Sequence, residues 1–198
     1  MLKRKINFID LGAGSRFERA AAIAGRKHLT KGRVIEAIDI LAPSMQVPQG
    51  MRYSKMDVVE RLREFRSEGI EAKVINADNF FTEHMLAQNY AKHLEGKERC
   101  DASITKPIQP ELLKEIKRTL CRNGRLYSTT VKWHCIPLAE KLKEAGFEVR
   151  FTPITEEEAK KGPQTTRGYY KLWKNGEFHR WFGREGWSLQ RIVAIKRR

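Results

Sequence analysis

Residues 6–21, INFIDLGAGSRFERAA, place an apolar strand, a carboxylate and a glycine turn in immediate succession. The strand ends at Asp10, Gly12-Ala13-Gly14 supplies a tight turn, and a helix is expected from about Phe17 to His28. Such a unit opens a nucleotide-binding α/β sheet, because glycines let a ligand approach the backbone where strand passes into helix. Dinucleotide pockets carry a third glycine that allows close helix–strand packing and seats a pyrophosphate. Phe17 stands at that position here. The glycine pair alone does not choose the ligand, so the rest of the chain must.

Strand and helix patterns alternate downstream. RVIEAIDI (33–40) reads as a second strand, and LAPSMQVPQGMRYSK (41–55), with two prolines and a glycine, as a long loop. Val58, Leu62 and Phe65 mark a helix closed by Gly69, EAKVINA (71–77) a third strand, and Leu86, Tyr90 and Leu94 another helix. DASIT (101–105) reads as a fourth strand, followed by a helix on Leu113, Ile116 and Leu120 and a fifth strand at RLYSTTV (125–131). Pro137 suits the first turn of a helix whose face is Leu138, Leu142 and Ala145, with Gly146 as its cap. FEVRFTPI (147–154) and LQRIVAIK (189–196) complete the strands. The expected fold is α/β, a three-layer α/β/α sandwich forming one domain over residues 1–198.

Residues 155–187 interrupt this alternation. Asn175-Gly176 suits a two-residue turn between aromatic-rich arms, which predicts a β-hairpin insertion. Trp173 would then face Phe178, Lys171 face Arg180 and Tyr169 face Phe182. Interleaved aromatic and basic residues of this kind stack on bases and clamp phosphates.

Charge narrows the partners. The chain carries 39 lysines and arginines against 24 acids, a formal charge of +15. Folding does not require this excess, and a phosphate polyanion is its natural counterpart. No apolar run is long enough to span a membrane, and the first apolar run is too short for a signal peptide, which points to the cytoplasm. Cys100, Cys121 and Cys135 are scattered, and neither they nor the histidines show metal-ligand spacing, so no metal is expected.

FIDLGAGS resembles the first motif of class I S-adenosylmethionine-dependent methyltransferases: apolar strand, acidic residue, then G-x-G. Other parts of that pattern follow in order, with Asp39 closing the second strand, NADNFF after the third and LCRNGRLY leading into the fifth. The resemblance implies a Rossmann-like seven-stranded methyltransferase sheet with an antiparallel last strand, and S-adenosyl-L-methionine as cofactor. That cofactor has no phosphate. Its adenosine and amino-acid tail call for Gly12 and Gly14 at the backbone, Asp39 on the ribose, Asp78 with Asn79 near the adenine, and Asp10 toward the ammonium.

The acceptor follows from the fourth strand's end. There SITKPIQP puts Thr105, Lys106 and Pro107 beside the chemistry. TKPIQP and TTRGYYKLW are similar to two elements of tRNA (guanine-N7) methyltransferases, although the acidic residue of the first and the glutamate of the second are missing. With no carboxylate or histidine expected at that strand end, a nitrogen needing no general base is favoured, and guanine N7 is one. Substrate contacts are expected from Arg16, Trp133, Thr166, Arg167, Tyr169, Lys171, Trp173 and Arg180. The expected function is methyl transfer to RNA, tRNA foremost. Alternatives are ribose 2′-O- or base-amino methylation of rRNA, and an RNA-binding protein that keeps the fold without catalysis. A small-molecule methyltransferase fits the charge less well, and a nucleotide reductase fits Phe17 less well.

Overall fold

Five consecutive buried residues, Ile35 to Asp39, identify a strand covered on both faces, as a parallel sheet between helical layers requires. The computed structural model describes residues 5–13, 20, 21, 24, 34–78, 80, 81, 110–162, 164–176, 187 and 189–197. Its strands are β1 (Lys5–Leu11), β2 (Ile35–Asp39), β3 (Met51–Lys55), β4 (Glu71–Asn76), β5 (Leu120–Val131), β6 (Glu148–Pro153) and β7 (Leu189–Ile195). They form one seven-stranded sheet in the order β3-β2-β1-β4-β5-β7-β6. β1 to β5 are parallel, and β7 runs antiparallel to both β5 and β6. The antiparallel last strand is therefore as expected.

Alternating side chains of the strands serve two cores. Ile9, Ile75 and Leu126 pack with Leu62 and Phe65 of α1 (Val58–Ser67), Ile116 of α2 (Pro110–Thr119) and Leu138 and Leu142 of α3 (Lys132–Glu144). Phe8, Ile35, Ala37 and Met51 meet the helical residues Ala20 and Ala24 on the other face. Asp57 starts α1 by accepting hydrogen bonds from the Val59 and Glu60 amides. Gly69 (φ 66°) and Gly146 (φ 82°) take left-handed conformations after α1 and α3, where the sequence places helix ends.

Three expectations about elements are corrected. The segment read as a loop to residue 55 ends in β3, an edge strand in which only Met51 is buried. Hydrophobic patterning is faint where only one neighbour covers a strand. In consequence the strand at 71–76 is the fourth, lying between β1 and β5, the place given to residues 101–105. Those residues lie outside the described ones. α3 begins at Lys132 directly after β5, so Pro137 is inside the helix and not in its first turn.

The third correction concerns the hairpin. Residues after β6 form two helices, α4 (Glu156–Lys161) and α5 (Gln164–Lys174), the second covering most of the predicted first arm. Thr155 and Glu158 make a reciprocal capping box at the start of α4. Tyr169, with Tyr170, Leu172 and Trp173, packs on Ile154, Ala159, Leu189 and Trp187, contacts that a helical spacing provides and an alternating one does not. Asn175-Gly176 ends the helix: the Asn175 amide bonds to Lys171, the Gly176 amide to Trp173, and Gly176 has φ 73°. Asparagine-glycine serves a helix end as well as a hairpin turn, because both need a left-handed residue.

One ion pair is sealed between sheet and helix. Glu36 on β2 is fully buried and receives Arg61 Nε at 2.6 Å and Nη2 at 3.2 Å from α1, together with the Ser54 hydroxyl at 2.7 Å. Cys135 is buried in the α3 core, and burial pushes its thiol up to about 11. Alkylation with iodoacetamide at pH 8 should accordingly modify the half-exposed Cys121 while leaving Cys135 intact in the native protein. Peptide mapping of the alkylated chain checks this; rapid labelling of Cys135 contradicts its burial.

Candidate active site

The parallel strands deliver their C-terminal ends to one edge of the sheet, where ligands of such folds bind. β1 ends with Asp10 and Leu11, followed by Gly12, and β2 ends with Asp39. β4 ends with Asn76, followed by Ala77 and Asp78. Register fixes their relation: Leu11 pairs with Ile38 and Asp10 with Asn76. Extending both pairings sets Asp39 on one side of Gly12 and Asp78 on the other, with strand axes about 10 Å apart. Three of the expected cofactor carboxylates thus converge on one turn.

The turn is held tightly. The Gly12 and Ala13 amides both donate to the Ile38 carbonyl, and Gly12 has φ 61°. A Cβ on Gly12 would also lie 2.5 Å from the Phe80 ring, so glycine is demanded by backbone and neighbour together. Phe80 meets the buried Phe81 edge-on, with its own ring over Gly12.

Asp10 and Asn76 are buried, and Asn76 Nδ2 donates to Asp10 Oδ1 at 2.7 Å. The Asn76 side-chain oxygen has no hydrogen-bond partner among the described residues. A buried acceptor beside a carboxylate is a costly arrangement unless a donor meets it, and a cationic donor meets both. Sequence reasoning missed Asn76. Its signal was a polar residue directly after the apolar pair Val74–Ile75 at the strand's end.

Asp39 is also buried, and its Oδ1 accepts the Leu41 amide at 2.8 Å while its backbone carbonyl accepts the Met56 amide at 2.9 Å. Tyr53 of β3 donates its hydroxyl to the Leu41 carbonyl at 2.9 Å. Burial first, and then the nearby Asp39 charge, hold the Tyr53 phenol above its ordinary range, so it remains a donor through neutral pH. Ile40 and Leu41 leave an exposed apolar wall beside Asp39.

α3 leaves the same edge after β5, so the backbone of Trp133 lies in its first turn. α4 and α5 join β6 to β7 at that edge as well, since β6 runs parallel to β5. Tyr169 and Thr166 are buried and Trp173 is partly covered, so these expected substrate contacts belong to the packing of α5. Arg167, Lys171 and Lys174 form an exposed stripe on the helix, with the Lys174 ammonium 4.7 Å above the Trp173 ring. Gly14, Arg16, Asn79, Thr105, Lys106, Pro107 and Arg180 lie outside the described residues, as does the Trp133 side chain. No group of metal-ligating side chains occurs among the described residues, and no helix among them is long and apolar enough to cross a membrane.

Comparison with protein-family models finds no match, and neither does comparison with curated proteins. Solved structures do match. A SAM-dependent methyltransferase from Archaeoglobus fulgidus aligns over 98% of this chain and 87% of its own, at 15% identity and a TM-score of 0.54. The 16S rRNA (adenine(1408)-N(1))-methyltransferase of Catenulisporales acidiphilia, as its W203A mutant with cosubstrate SAM, covers 99% and 88%, at 9% identity and 0.52. The CurJ carbon methyltransferase aligns over all of this chain and 50% of its own, at 15% identity and 0.53. The chain has the Rossmann-like methyltransferase fold, a fold these proteins put to different acceptors.

Proposed function

We propose that this protein is an S-adenosyl-L-methionine-dependent methyltransferase acting on RNA, with structured RNA such as tRNA preferred. The observation that carries the cofactor reading is the gathering of Asp10, Asp39 and Asp78 around Gly12 in a chain whose overall charge is +15. A pyrophosphate would meet repulsion there, whereas a sulfonium and an ammonium meet attraction.

The residues fit this ligand. Asp39 would accept the ribose hydroxyls, the Ile40–Leu41 wall would cover the adenine, and Asp10 with the Asn76 oxygen would receive the amino-acid ammonium. When bound, the cofactor supplies a methyl group activated by its sulfonium. Asp78, at the end of the strand between β1 and β5, lies away from the adenine side of Asp39, so we assign it to the acceptor in place of the adenine. The case for guanine N7 drew on a lack of carboxylates at the fourth strand's end. With Asp78 there, an acceptor that must lose a proton is served equally well: a ring N–H, an exocyclic amine or a hydroxyl.

The +15 charge and the Arg167–Lys171–Lys174 stripe at the same edge support RNA as the acceptor molecule. Asp78→Asn distinguishes the assignments. Cofactor affinity measured by calorimetry should stay within about threefold, while the methylation rate falls roughly 100-fold or more. Loss of cofactor binding in step with rate returns Asp78 to the adenine.

A further inference from the structure

A concavity away from that edge runs along α2 and ends at the last turn of α3 and at Lys196, which follows β7. Its volume is about 540 Å³, within the range of small-ligand sites. Both helices finish at the sheet edge opposite Asp10 and Asp39, so this is a different place on the molecule. Pro110, Leu113 and Ala145 give it an apolar floor, and Lys114, Lys117, Arg118, Lys141 and Lys196 surround it, with Glu144 the one acid in its lining.

Cations at a helix C-terminus ordinarily answer the helix dipole and are solvated. Here they exceed that need. Arg118 is held by Glu115 at 2.7 Å and Lys114 lies 4.0 Å from Glu111, whereas Lys117 and Lys141 have no carboxylate partner among the described residues. Lys117 is also positioned: its ammonium sits over Gly146, in the space a Cβ would fill, and 6.0 Å from the Phe147 ring. A glycine already required by its φ of 82° therefore doubles as the seat of this lysine.

We propose that this groove binds a nucleotide, its base against the Pro110–Leu113–Ala145 floor and its phosphate between Lys117 and Lys141. A flat ring that can lay its π face on an apolar floor and is joined to a phosphate matches such a floor under a cationic rim. A free nucleotide and one borne by an RNA chain share this chemistry, and a salt series tells them apart. The proposal does not depend on methyl transfer at the opposite edge and stands if that reading fails.

Uridine monophosphate is the probe, because it lacks the adenine that the other edge is suited to hold. Calorimetry on the full chain should show millimolar binding or better, weakened at least tenfold in Lys117→Glu/Lys141→Glu. The neutral pair Lys117→Gln/Lys141→Gln, with an unchanged melting temperature, should lose binding too, which separates charge from folding. A structured RNA in a salt series identifies the source. An RNA-borne nucleotide makes the reversed pair lose tenfold or more in affinity and about 0.8 in the logarithmic salt slope. A free one leaves RNA affinity unchanged while uridine monophosphate binding is lost. No binding of the probe by the wild type, or equal binding by the reversed pair, overturns the proposal.

Discussion

Asp39→Ala should weaken S-adenosylmethionine binding about 100-fold or more while leaving the sheet intact. A carboxylate accepting two ribose hydroxyls makes two hydrogen bonds to a charged group, each worth about 1.5–3 kcal/mol. Asp39 also anchors the turn after β2 through the Leu41 amide, so part of the loss will come from a looser turn. Asp39→Asn keeps one acceptor oxygen for Leu41 and removes the charge, and should fall between the two proteins. Calorimetry with the cofactor, alongside thermal melting, separates these contributions. An Asp39→Ala protein that binds the cofactor as tightly as the wild type contradicts the placement of the ribose at β2.

The largest stability effect is expected at the buried pair. Arg61→Met leaves the Glu36 carboxylate sealed against β2 with only Ser54 as a partner, in a place where its side chain has no exposure. Breaking a buried pair from one side costs about 3–5 kcal/mol, since the surviving charge is no longer compensated. For a chain of this size the melting temperature should fall by about 10 °C. The double variant Glu36→Gln/Arg61→Met should recover part of the loss, because the stranded charge goes with its partner. Urea unfolding of the three proteins measures this. A single variant as stable as the wild type means that Glu36 takes a proton or finds water at little cost.

Much of the fold was legible because burial writes a period into the sequence. Val58, Leu62 and Phe65 mark α1 outright, and β2 is apolar except at its closing Asp39 and at Glu36, whose burial depends on an arginine 25 residues away. β3 was illegible for the converse reason. At the sheet edge only Met51 is buried, and Pro48, Gln49 and Gly50 in front of it read as loop. Missing one edge strand renumbered the others, which moved the strand at 71–76 from the expected third place to the fourth, between β1 and β5. The hairpin failed through a tertiary override. Tyr169 and Trp173 share a face in either period, and Ile154, Leu189 and Trp187, which gather Tyr170 to the same side, decide for the helix.

The candidate site divides along the same line. Asp10, Gly12 and Asp39 could be placed from sequence, because a glycine turn and a carboxylate at a strand end are local features. Asn76 could not, since its role arises from its cross-strand pairing with Asp10, 66 residues away. The aromatic residues of α5 were legible as a cluster but not as packing; Tyr170 and Trp173 are partly covered, and their basic neighbours Arg167, Lys171 and Lys174 are exposed.

The central claim is that the edge built on Asp10, Asp39 and Asp78 transfers a methyl group to RNA. Incubating the full chain with methyl-labelled S-adenosylmethionine and, separately, total tRNA, rRNA, DNA, protein and small metabolites tests it most directly. Nucleoside mass spectrometry then locates the label. The account predicts label in RNA, in one kind of methylated nucleoside, lost in Asp39→Ala. Label confined to DNA, protein or small molecules, or no label in any pool, contradicts it.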